Sequence, residues 1–140
     1  MGFQFRLERV LAHRMESERR ATLEMARVRG RRDQEARELG RLMGMCREAE
    51  ARWEALILQR VSLDELCWMR RHWAVLREDV AAQQEVVRQW EERLAQARDA
   101  LVNARRDKKS LEILRDKALQ RFLQALGRAE TAALDEISLR

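Results

Sequence analysis

Proline is absent, glycine occurs only five times among 140 residues, and aromatic side chains make up 5% of the chain. Without proline nothing removes a backbone N–H from a helix interior, so long unbroken helices are allowed. The two cysteines, Cys46 and Cys67, are too few for a disulfide framework. No apolar run reaches the roughly 18 residues needed to cross a bilayer. The opening MGFQFRLERVL has no uninterrupted apolar stretch and no cleavage site, so no secretion signal is expected. Gly2 is followed by Arg6 where a myristoylation signal needs Ser or Thr. The expected compartment is the cytoplasm. His13 and His72 have no Cys or second His at metal-ligand spacing, and no phosphate loop or nucleophile elbow occurs. The expectation is therefore a protein that is not an enzyme and holds no cofactor.

What is present is charge and helix-forming residues. Charged side chains make up 38% of the chain, Ala, Glu, Leu and Arg dominate, and the net charge is +5. That composition belongs to long helices and coiled coils rather than to a globule. The basic residues are interleaved with acids, which describes a solvated helix surface and argues against a nucleic-acid footprint.

From Leu66 onward one rule holds. Alternating steps of three and four residues visit Leu66, Met69, Trp73, Leu76, Val80, Gln83, Val87, Trp90, Leu94, Ala97, Leu101, Ala104, Lys108, Leu111, Arg115, Ala118, Phe122, Ala125, Ala129, Ala132 and Glu136. All but Gln83, Lys108, Arg115 and Glu136 are apolar. The 3.5-residue spacing predicts a coiled-coil helix over about 65–136, roughly 105 Å long at 1.5 Å per residue. One helix cannot bury such a stripe on itself.

The first segment, about 4–60, carries a second stripe. Leu39, Leu42, Cys46, Ala49, Trp53 and Leu56 form its clean part, widened by Met43 and Ile57, and Leu7, Leu11, Ala21, Met25 and Val28 extend it back. Arg14, Glu18, Arg32 and Glu35 interrupt it. Acid–Arg pairs at i,i+4 (Glu16 with Arg20, Asp33 with Arg37, Glu48 with Arg52) are expected to support the exposed face. Gly30, Gly40 and Gly44 each cost about 1 kcal/mol in a helix interior. They suggest either a frayed or bent stretch, or a hinge or close-approach face at Gly40 and Gly44.

Ser62 with Glu65 has the spacing of a capping box, and Asp64 and Glu65 suit the first turn of a helix. A turn is thus expected at about 61–64. So short a connection makes the two helices antiparallel neighbours. The register puts Trp53 near Trp73, Cys46 near Val80 and Leu39 near Val87. The expected fold is all-α, a long antiparallel two-helix coiled-coil hairpin forming a single domain over 1–140.

Two surfaces stand out. Trp68 lies off the seam beside the turn, with Cys67, His72 and Val75 on the outer side. Arg52, Leu56 and Gln59 could extend that surface from helix 1. Trp68 either folds over the turn or contacts a partner. At the other end Phe3, Phe5, Leu7 and Val10 meet Leu119, Phe122, Leu123 and Leu126. They either lock the ends together or form a docking tip.

FQFRLERVL, followed by Arg14 and Glu18, resembles the N-terminal signature of the FliJ family of flagellar type III export proteins. RRDKKSLEILRDKALQRF resembles that family's Lys-Lys-x-Leu-Glu region, and Leu134-Asp135-Glu136-Ile137 its C-terminal ending. The resemblance implies an antiparallel coiled-coil stalk. Its implied partners are the hexameric export ATPase FliI, the export gate protein FlhA and export chaperones. It places the protein in the cytoplasm, peripheral to the inner membrane. Phe3, Phe5, Leu7, Phe122 and Leu123 would then contact the ATPase, and Arg52, Leu56, Gln59, Trp68, His72 and Val75 the gate. The alternatives are the stalk of a virulence-type secretion system and a structural coiled-coil tether. The tether predicts a parallel dimer with the seam running straight through the turn.

Overall fold

A computed structural model describes residues 2–139. Two α-helices account for nearly all of them: α1, Glu8–Ile57, and α2, Leu63–Ser138. No strand occurs among the described residues. The fold is an all-α helical hairpin, as the paired stripes predict. Each helix lies a few residues away from its sequence-derived bounds, because the break falls at 58–62 rather than 61–64. Ser62 sets the start of α2. Its Oγ accepts the Glu65 N–H at 3.3 Å and its carbonyl accepts the Leu66 N–H at 3.2 Å. Asp64 and Glu65 fill the first turn. α1 ends less firmly, on a single turn bond from the Gln59 N–H to the Leu56 carbonyl, 3.1 Å.

The sequence reads as one coiled-coil domain; contacts group the residues into two compact units, 24–98 and 1–23 with 99–140. In the first, Val28, Leu76, Val87, Leu94 and Ala97 are the buried residues. Along α2 every seam position from Leu66 to Leu94 is at least half-buried, while nearly all flanking residues are exposed. The polar break in one stripe meets the polar break in the other: Gln83 Nε2 donates to Glu35 Oε2 at 2.7 Å and to the Glu35 carbonyl at 3.0 Å. Arg31 closes on Glu35 at 3.1 Å and lies over the Trp90 ring at 5.7 Å. The sequence register would instead have set Gln83 opposite Met43 and Trp90 opposite Ala36. The difference follows from the turn, which sits nearer the N-terminus than expected. Trp73 packs its ring under Arg77 at 5.0 Å, and its buried indole N–H has no hydrogen-bond partner.

In the second unit the buried residues are Leu11 and Leu101. Here one ion pair, Glu18 with Lys108, falls on the expected register, and the others lie three to five residues short of it. Lys108 pairs with Glu18, and Arg105 reaches the same carboxylate at 3.5 Å. Arg14 pairs with Asp107 at 3.3 Å and Arg115 with Glu8 at 3.2 Å. The seam stops at Phe122. Ala125, Ala129, Ala132 and Glu136 keep the spacing but are exposed, since α1 has no residues left to cover them.

Three expectations for α1 need correction. Met43 and Ile57 do not widen the stripe; both are exposed. Of the three expected i,i+4 pairs only Glu16–Arg20 forms, at 3.5 Å, and Asp33 bonds its neighbour Arg32 at 2.8 Å instead. The helix runs unbroken through Gly30, Gly40 and Gly44, and a Cβ at any of the three would meet open space. The packed stripe beside them outweighs their low helix propensity.

Candidate binding surfaces

No helix is long and apolar enough to cross a membrane among the described residues, and no group of His, Cys, Asp and Glu there could hold a metal. What the chain offers is surface.

The first surface lies beside the turn in the 24–98 unit. Helical spacing puts Trp68 and His72 one turn apart, and their rings stack at 5.4 Å with 7° between planes. Trp68 does not fold away; it is 66% exposed. It walls three adjoining grooves. One runs between the helices over Met45, Glu48, Ala49, Arg52, Met69, His72 and Leu76. A second is bounded by Leu56, Asp64, Glu65 and Met69, and a third by Arg71, His72 and Val75. Arg52, Leu56, Trp68, His72 and Val75 are thus brought together as the sequence suggests. Gln59 borders none of these grooves; it sits exposed in the turn, engaged through its backbone. Sequence reasoning missed Met45 and Glu48, which flank the α1 seam beside Cys46 and Ala49. It also missed the exposed Leu58 and Leu63. Cys67 is exposed here, and Cys46 is half-buried on the seam.

The second surface belongs to the unit that contains both chain ends. Phe3 packs on Phe122 with ring centroids 5.6 Å apart, and Phe3, Phe5, Leu7 and Phe122 are all half-buried. The Phe3–Phe122 contact joins the N-terminal segment to α2. Phe3 and Phe5 also border a shallow groove with Gln4, Arg6, Glu8, Arg9 and Arg115. Leu123 is different: it is 54% exposed, and Leu119, Leu126, Leu134 and Ile137 are exposed with it. From Leu119 on, the exposed apolar residues follow a line one residue beyond the seam, Leu119, Leu123, Leu126, Ala133 and Ile137, with Leu134 beside it. At 100° per residue this line, Leu134 and the neighbouring seam alanines span about 200° of the helix circumference, slightly more than half, interrupted only by Glu130 and Glu136.

Electrostatics here are those of paired surface ions. The Lys108 ammonium, hydrogen-bonded to Glu18, holds that carboxyl below its ordinary value and is itself raised. Arg19 lowers Glu16, and Arg27 lowers Glu24, in the same way. Nothing in this pattern assembles an acid, a base and a nucleophile around one point.

A family model described as Flagellar FliJ protein matches residues 3–140. No curated protein and no solved structure matches the chain. The match spans both helices, the capped turn and both exposed surfaces, and the chain belongs to the FliJ family of flagellar export-associated proteins.

Proposed function

We propose that this protein is a stalk of the flagellar type III export apparatus that works by binding and not by catalysis. Its end-bearing unit docks into the hexameric export ATPase FliI, its Trp68 surface engages the export gate protein FlhA, and it escorts export chaperones from a position at the cytoplasmic face of the inner membrane. The observation that carries this reading is the apolar sector beyond Phe122. A helix that exposes apolar and small side chains over more than half its circumference is not satisfied by one neighbour. It needs an enclosing partner, and the lumen of a ring provides one. Arg6 and Arg9 on the N-terminal segment and Lys117, Arg121 and Arg128 on α2 have no ion-pair partner among the described residues, which suits an acidic rim.

The Trp68 surface supports the second contact. An exposed aromatic pair over apolar grooves, edged by Glu48, Arg52 and Arg71, has the make-up of a small, reversible interface. A stalk that cycles between partners needs such reversibility.

Binding titrations test both contacts. Leu123→Ala combined with Leu126→Ala should weaken binding to the purified ATPase at least tenfold while the melting curve stays in place. Trp68→Ala should cost about 2 kcal/mol in gate binding and leave ATPase binding intact. Unchanged affinities in both titrations would remove the stalk reading.

A further inference from the structure

The turn between α1 and α2 contains nothing that compels the chain to reverse. Its five residues, Leu58 to Ser62, include no proline or glycine, and no described residue has positive φ. Three hydrogen bonds define it: Gln59 N–H to the Leu56 carbonyl, Glu65 N–H to Ser62 Oγ, and Leu66 N–H to the Ser62 carbonyl. The first two involve groups a continuous helix would satisfy by itself, and the third is already an i,i+4 helical bond. Val61 is half-buried, but the other apolar residues at the turn are left uncovered. Leu58 is 88% exposed, Leu63 76%, and Ile57 is exposed between them and the seam.

We infer that the turn is convertible, and that a second copy of this chain covers its apolar surface in an antiparallel, domain-swapped dimer. In that dimer α1 runs on into α2 as one helix, and each chain's α1 packs on the other chain's α2. Seam charge fixes the orientation. A parallel copy would set Glu18 on Glu18, Glu35 on Glu35 and Lys108 on Lys108, like on like within the seam. An antiparallel copy rebuilds every pairing the hairpin has: Glu18 with Lys108, Arg14 with Asp107, Glu8 with Arg115, and Gln83 with Glu35. No new interface is required. The seam is reused twice, and the added contact is the turn itself, where Ile57 and Leu58 of one chain meet Leu63 of the other. Because exchange costs only association entropy and gains this burial, the balance shifts with protein concentration.

The test uses the full chain and reads mass by light scattering over about a thousandfold range of concentration. Leu63→Pro separates the two forms. Position 63 opens α2, its N–H makes no hydrogen bond, and proline is accepted at a first helical position but not inside a continuous helix. The expected result is a monomer at low concentration and a dimer at high concentration. Leu63→Pro should weaken dimerisation by roughly 100-fold or more with helix content unchanged. Leu58→Ser should weaken it as well, without touching the monomer. With cysteines at 49 and 69 in a background lacking Cys46 and Cys67, a short cross-linker should join those sites within the monomer and between chains in the dimer. A chain that stays monomeric throughout overturns the proposal. So does a Leu63→Pro variant that dimerises like the parent, or a dimer whose cross-links remain within each chain.

Discussion

Leu94→Ala probes how much of the stability resides in the seam. Leu94 is 2% exposed, at the centre of the buried row Val87, Leu94 and Ala97 on α2. The substitution removes three carbons, worth about 2.4 kcal/mol at about 0.8 kcal/mol each. A void left in a deep core would add to that. Among the described residues no side chain is fully enclosed, so water and neighbouring side chains close on the gap and the added term stays small. The expected loss is about 2.5–3.5 kcal/mol. Urea unfolding followed by circular dichroism measures it, as a lower midpoint at unchanged slope. A loss below about 1 kcal/mol with native helix content would show that the seam is not what holds the helices together.

Gly40→Ala and Gly44→Ala should each stabilise the protein by up to about 1 kcal/mol, read as a raised denaturation midpoint, because a methyl group at either site meets open space in a helix interior. Glu18 has a lowered folded-state pKa, so its contribution is present above its ordinary value of 4.5 and is lost as pH falls through the lowered one. Melting temperatures of Glu18→Gln should therefore match the parent's at low pH and fall below them near neutrality. Trp68→Ala should change stability by no more than about 0.5 kcal/mol, since an exposed ring contributes little to packing; a larger loss would mean that its stack on His72 is structural.

The stripe from Leu66 to Phe122 is legible in the sequence because periodicity records which face of a helix is covered. It does not record where the cover ends. Ala125, Ala129 and Ala132 keep the spacing after α1 has run out, so the period alone extends the seam too far. The polar interruptions follow the same logic. Glu18, Glu35, Gln83 and Lys108 read singly as flaws, and only the pairing of the helices shows that they answer one another. The glycines of α1 were the opposite case: a local weakness that tertiary packing overrides. Trp68 was found because it lies off the stripe. Met45 and Glu48 were not, because the groove they border exists only once two helices lie side by side.

The placement of the tryptophans has a practical consequence. The chain has no tyrosine, and Trp53, Trp68, Trp73 and Trp90 all lie within the 24–98 unit. Intrinsic fluorescence is therefore blind to the unit that carries the chain ends, whereas far-ultraviolet dichroism sums over both. Melting the protein under the two probes turns this uneven labelling into an internal control. Coincident curves mean that the helices come apart in one cooperative step. A dichroism loss that precedes the fluorescence change means that the end-bearing unit opens first, with the turn still closed.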